Sequence, residues 1–219
     1  MKINLHCHSI YSDGTNNIYD LATEHKKQKF SACVITDHIY PFCLDKFYSL
    51  NYKTFHKQKE DIEAVVKRLK YPIIQGIELN LYYEEVLVFG SNLINGIIHY
   101  VEDFNENNDI KSQYFNLLDY LFQNKERGAF ILCHPAVDRI NDSNCKEFYE
   151  KLFKLVDGYE KRNRGYDMFK SREIPEQLLN KKQFFNSDAH FIEDIQNGNN
   201  IHKHKILTED DLIKYIKNN

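Results

Sequence analysis

Short apolar runs alternate with longer amphipathic stretches along most of this 219-residue chain. The runs at Ile3–Cys7, Ala32–Thr36, Ile73–Leu79, Val86–Phe89, Ala129–Cys133, Gly158–Lys161 and Phe184–Ser187 have the length and residue types of buried strands. Between them, apolar residues at helical spacing predict helices near Ile18–Lys29, Tyr52–Lys70, Gln113–Glu126, Lys146–Leu155, Glu176–Lys181 and Glu209–Lys217. Asn92–Asn108, punctuated by Asn and Gly, reads as a long loop around a short strand at Gly96–Tyr100. Strands alternating with helices imply parallel pairing through right-handed crossovers, hence an α/β sheet or barrel. Neither an internal repeat nor a Pro/Gly/Ser-rich linker divides the chain, so one domain over residues 1–219 is expected.

Polar residues fall at the ends of the apolar runs. His6 and His8 close the first, Asp37 and His38 the second, Glu78 the third, His134 the fifth, Glu160 the sixth, and Asp188 and His190 the seventh. In parallel α/β folds the C-terminal strand ends share one face, where active sites are built. Histidines two apart on a strand point the same way, so His6 and His8 converge while Cys7 faces the helices. Paired imidazoles suit Zn, Mn or Fe. The carboxylates of Thr36-Asp37-His38 and Ser187-Asp188-Ala189-His190 offer a hard anionic ligand, or an acceptor that orients an imidazole. Glu78 can bridge two cations with its two oxygens, and Ser12-Asp13-Gly14 is a turn that brings Asp13 near the first histidines. At His134-Pro135 the proline favours an extended His134 and stops the ladder. Alternation turns the thiols of Cys7 and Cys133 away from this rim, so no cysteine nucleophile is expected. His202-Lys203-His204 reads as an exposed loop.

Taken in order, HCHS at 6–9, SDG at 12–14, TDH at 36–38, GIE at 76–78, HP at 134–135 and SDAH at 187–190 resemble the polymerase and histidinol phosphatase (PHP) family. The resemblance implies a distorted (β/α)7 TIM-like barrel with a metal cleft at the C-terminal ends of the strands. It implies two or three divalent cations (Zn, Mn or Fe) and a metal-activated water, with Glu78, His134 and Asp188 central to catalysis. His6 and His8 would bind a first cation with Glu78 and Asp188. Glu78 would bridge to a second, held also by His134, and Asp13, His38 and His190 would hold a third. The family's further ligand between GIE and HP has no histidine counterpart in Glu84–Gly90; Glu85 is the candidate and His99 the runner-up. Glu160, in an E-x-x-N stretch, is expected to line the cleft. Arg139, Arg162 and Arg164, just past strand ends, could clamp a phosphate.

Composition narrows the function classes. A net charge of −3 and a pI near 6.4 give no basic stripe, so long nucleic acid is not an expected partner. Five cysteines without CxxC spacing suggest reduced thiols and a cytoplasmic protein. No basic-then-apolar leader opens the chain, and no apolar run reaches the roughly 20 residues needed to span a bilayer. The expected activity is hydrolysis of a small-molecule phosphate monoester. The alternatives are a phosphodiesterase or exonuclease on short nucleic acid, and a catalytically silent metal-binding module. Amidohydrolysis on a similar barrel would want a metal-bridging lysine at a strand end, and none stands in a matching place.

Overall fold

The structure, a computed structural model, describes residues 1–43, 48–135, 145–169 and 174–218. One sheet runs β2 (Cys33–Ile39), β3 (Ile73–Leu81), β4 (Glu84–Phe89), β5 (Ala129–Leu132), β6 (Gly158–Asn163) and β7 (Tyr166–Asp167), with β8 (Lys182–Asn186) also paired to β6. The pairs β2–β3, β5–β6 and β6–β8 are parallel, as the pattern implies. The exception is β4, antiparallel to both neighbours. Only Tyr82 and Tyr83 separate it from β3, too few for a crossover, and Tyr82 turns the chain at φ 59°. The reversal puts the start of β4, not its end, on the rim with the C-terminal ends of the other strands. Glu85 reaches that rim for this reason.

The N-terminal run departs furthest from expectation. Only Lys2–Ile3 (β1) forms a ladder, antiparallel to Asn200–Ile201 (β9). Beyond it, the Leu5 amide donates to the Asn186 side chain at 3.1 Å, and the Asn4 side chain bonds the amide and hydroxyl of Ser187. The Thr36 amide donates to the Cys7 carbonyl at 2.8 Å, and the His8 amide to the Ala189 carbonyl at 2.9 Å. Buried asparagines thus replace backbone partners, and residues 4–8 bridge β2 and β8 without a regular ladder. The result is an α/β fold with a curled, mixed sheet rather than an all-parallel (β/α)7 ladder.

The helices α1 (Ile18–Lys27), α2 (Tyr52–Leu69), α3 (Ser91–Glu102), α4 (Ile110–Gln123), α5 (Lys146–Leu155), α6 (Glu176–Leu179) and α7 (Glu209–Lys217) pack around this sheet. Asn17 caps α1, and capping boxes at Asn51/Thr54 and Thr208/Asp211 start α2 and α7. α3 corrects the expected loop and strand at Asn92–Asn108. Leu93, Ile94, Ile97, Ile98 and Val101 form one buried helical stripe, which outweighs the low propensity of Asn and Gly. Gly96 leaves room there for the Tyr120 hydroxyl, which a Cβ would displace. His202 is another correction: it is buried, its ring 2.9 Å from the Ser31 hydroxyl.

Alternation along the strands sorts the core. Val34, Ile74, Leu87, Phe89, Ala129 and Ile131 join Ile3, Leu5 and Phe184 in one cluster, closed by Leu212 and Ile216 of α7. Their neighbours Val86, Val88, Phe130 and Leu132 pack the other face against α3, α4 and α5. Glu78 lies opposite Leu87 and His38 in register, so its side chain caps the inner cluster. Among the described residues no helix is long and apolar enough to cross a membrane.

Candidate metal centre

Five imidazoles and four carboxylates meet above the inner core. His6 Nε2 lies 3.0 Å from Glu78 Oε2, 3.4 Å from Asp188 Oδ1 and 3.0 Å from His8 Nε2. His8 Nε2 is 3.2 Å from each of the same two oxygens. Four atoms bound tetrahedrally at zinc–nitrogen and zinc–oxygen distances would lie roughly 3.3 Å apart, which matches this spacing. His134 Nε2 lies 2.9 Å from the other Glu78 oxygen and 3.5 Å from Glu85, while His38 Nδ1 is 3.1 Å from Glu78 and 4.0 Å from Glu85. On the other side, Asp13 stands 3.0 Å from His190 Nε2, 3.5 Å from His38 Nε2 and 3.7 Å from His8 Nδ1. His8 and His38 each give one nitrogen to either side. The chain therefore brings together His6, His8, Asp13, His38, Glu78, Glu85, His134, Asp188 and His190. Gly14 lets the Asp13 turn fold onto the first strand end, since a Cβ there would strike the His8 carbonyl.

Several of these atoms are buried with nothing to bond. Among the described residues, Glu78 Oε2, His8 Nδ1 and His38 Nδ1 have no hydrogen-bond partner of acceptable geometry. Buried polar atoms are rarely left so, and an ion is one ordinary reason. Electrostatics agree. Burial alone would lower the pKa of His6, yet the charges of Glu78, Asp188 and Glu160 raise it well above the ordinary value. His8 and His134, also opposed by burial, are pushed up to about 9 by bonds to Asp188 and Glu78 and to Glu78 respectively. Burial would raise Glu78, Asp13 and Asp188, but the surrounding imidazoles hold all three below the carboxylate range. Such a set attracts positive charge, and a divalent cation supplies it without protonating the nitrogens. The residues present fit divalent metal ions.

Glu160 sits elsewhere than expected. It is fully buried behind His6, accepting from Asn186 and lying 2.9 Å from His6 Nδ1 on one oxygen. The other oxygen accepts from the His134 amide at 2.8 Å and from Asn163 at 2.7 Å. No oxygen is left for a substrate, so Glu160 orients two of the imidazoles instead of lining the cleft. Arg162 is exposed and outside the cleft, because an irregularity between Glu160 and Arg162 turns Glu160 and Asn163 inward. Arg164 is in the cleft: a left-handed turn (φ 48°) before Gly165 brings its Nε to 3.0 Å from Asp188 and a terminal nitrogen to 3.0 Å from His190. Arg139 falls outside the described residues. His99 is on the exposed side of α3, 3.3 Å from Glu102 and away from the cleft.

Cys133 corrects the expectation that its thiol turns away. It keeps the inward face of Ile131 two residues before it, and its Sγ lies beside Glu78 and His134; the β5 ladder ends at Leu132, and His134 reaches the cluster as well. It is fully buried, and burial followed by the charge of Glu78 pushes its thiol well above the usual range. A thiol so held is not a nucleophile. Cys7 packs in the opposite cluster, as expected. Tyr40, Asn163, Tyr166 and Met168 complete a cleft of about 580 Å³. Sequence reading missed the tyrosines; Tyr40 stands two residues past His38, on the same strand face.

The PHP domain family model matches residues 4–181. The chain belongs to the PHP domain family. As a fold, this PHP domain is similar to two solved structures. One is a two-domain protein from Bacteroides vulgatus containing a predicted PHP-like metal-dependent phosphoesterase: TM-score 0.55, 17% identity, 88% of this chain covered. The chain spans only 53% of that protein. The other is a metal-dependent phosphoesterase candidate from Bifidobacterium adolescentis: TM-score 0.53, 15% identity, with 97% of this chain and 95% of that one covered. Comparison with curated proteins gives no match.

Proposed function

We propose that residues 1–219 form one phosphoesterase domain, with residues 4–8 as the irregular stave of a distorted (β/α)7 barrel, that hydrolyses a phosphate monoester of a small molecule. The observation that carries this reading is the buried set of imidazoles and carboxylates around Glu78, whose spacing suits divalent cations and whose unbonded atoms point inward. Two or three cations (Zn, Mn or Fe) would be held by His6, His8, Glu78 and Asp188, by Glu78, Glu85, His38 and His134, and by His8, Asp13, His38 and His190. Such cations supply a water acidic enough to attack at neutral pH and positive charge to offset that of the transferring phosphoryl group.

The protein's own residues do the rest. Glu78 ties the groups together, one oxygen toward His6, His8 and His38 and the other toward His134. Glu160 locks His6 and the backbone of His134 in place, fixing the site before substrate arrives. Arg164 offers the cleft's guanidinium and can move from Asp188 to a phosphate oxygen, where a bidentate bond orients the ester. Among the described residues lining the cleft it is the sole lysine or arginine, which supports a single phosphate over a polyanion. Tyr40, Tyr166 and Met168 also line the cleft, so selectivity among alcohols would belong to them. We place the protein in the cytoplasm on its free cysteines.

The test is hydrolysis of p-nitrophenyl phosphate by Mn²⁺-supplemented protein, then a panel of phosphorylated metabolites with a dinucleotide and single-stranded DNA. Release of phosphate from monoesters, with the dinucleotide and DNA untouched, is the expected result. Full activity after metal stripping would overturn the mechanism, and preference for the diesters would overturn the substrate class.

A further inference from the structure

Asp37 adjoins His38 yet faces the other way. Alternation along β2 sends His38 into the cleft and Asp37 out toward α2, where it is fully buried. Four neutral donors converge on its carboxylate. The Ser9 amide donates to Oδ1 at 2.7 Å and the Ser9 hydroxyl to Oδ2 at 2.5 Å. The Ser12 hydroxyl also donates to Oδ1, and the Gln58 side-chain amide to Oδ2. Gln58 is itself buried and held by Gln75 of β3 at 2.6 Å, so the hub is anchored in both α2 and the sheet. Tyr11, in the same turn, is tied to Asp61 of α2 at 2.6 Å.

The turn so pinned carries Asp13. The amides of Ser12 and Gly14 both donate to the Ser9 carbonyl at 3.1 Å, so fixing Ser9 and Ser12 fixes the backbone on either side of Asp13. Asp13 itself has a side chain 41% exposed and, among the described residues, its carboxylate meets imidazoles and the Ser12 hydroxyl. Its placement is inherited from the turn.

We propose that Asp37 is a positioning residue that holds the Ser9–Ser12 turn against α2 and thereby sets the cation affinity of the His8–Asp13–His38–His190 group. This rests on reading that group as a cation site. A carboxylate is needed because four donors require two acceptor oxygens. An asparagine of the same shape would keep one oxygen and aim its own N–H groups at donors.

The experiment is a Mn²⁺ titration of the full chain, following free Mn²⁺ by electron paramagnetic resonance, for wild type, D13A, D37N and Q58A. D13A defines which binding step belongs to the group. D37N is expected to weaken that step about tenfold or more, as loss of a residue orienting metal ligands does, while the remaining steps move less than twofold. Q58A, which leaves three donors in place, should weaken the same step less than D37N. Amide exchange at Ser9 and Gly14 in metal-free D37N should quicken. If D13A alters no step, the cation reading of the group fails. If D13A does and D37N does not, or D37N weakens every step alike, the positioning role fails. Should D37N not fold, an unchanged Q58A titration would overturn the proposal by itself.

Discussion

The two ends of the sheet make an instructive pair. At the N-terminal ends of the strands lies a cavity of about 650 Å³, larger than the cleft, lined by Lys182, Lys203, Lys205 and Lys214 with Asp211 as its acid. Two of its charged groups are engaged locally. Lys182 donates to the carbonyls of Tyr215 and Asn218 and lies over the Tyr215 ring, while Asp211 accepts from the Leu207 and Thr208 amides. At the other end the cavity is smaller, but its groups aim at one another across 2.9–4.0 Å and, among the described residues, several bond nothing. Size and net charge do not locate chemistry here. Convergence of donor atoms left unsatisfied by the fold does.

The sharpest way to break this contrast is Glu78→Gln. Removing the charge shared by four imidazoles should lower kcat about 10³-fold, the upper range for one preorganised electrostatic group, with the fold intact by circular dichroism. Glu160→Gln, which keeps the shape behind His6 but trades an acceptor for a donor, should cost about 10–100-fold in activity or metal affinity. Arg164→Ala should reduce kcat/KM about tenfold, roughly 1.4 kcal/mol, in steady-state assays on a monoester. At the lysine end, the double variant Lys203→Glu, Lys205→Glu should change kcat/KM by less than about twofold, within the range of ordinary surface substitutions. A large loss there would erase the distinction between the two ends.

Titration sharpens it further. In metal-free protein His8 and His134 are raised to about 9. A raised histidine contributes stability that is complete below its unfolded pKa, about 6.5, and that vanishes as pH climbs through its folded value. The metal-free protein should therefore lose melting temperature between about pH 6.5 and 9. Cation binding displaces those protons, so the gain in melting temperature on adding Mn²⁺ should grow over the same window. At 100 times its Kd the ion adds about 2.7 kcal/mol. Parallel melting curves with and without Mn²⁺ would contradict the assignment.

By itself the sequence determined that strands and helices alternate, and that histidines and carboxylates recur where apolar runs end. Period-two patterning exposes strand ends wherever they pair, and six distant motifs in one order leave little freedom in what they build. Eight of the nine residues of the centre stand in those motifs, whereas Glu85 was a candidate only through the family resemblance. Only the tertiary structure decided which way each group faces. The antiparallel β4, forced by a two-residue turn, carries Glu85 to the rim. Alternation keeps Cys133 on the inward face of Ile131, and the end of the ladder at Leu132 lets His134 reach the cluster out of turn. The irregularity in β6 hides Glu160 and turns Arg162 out, and α3 forms where local propensity spoke for a loop because its apolar stripe could be buried. Local sequence encodes periodicity, whereas direction at a strand end depends on which neighbour satisfies the backbone, and that neighbour is chosen far along the chain.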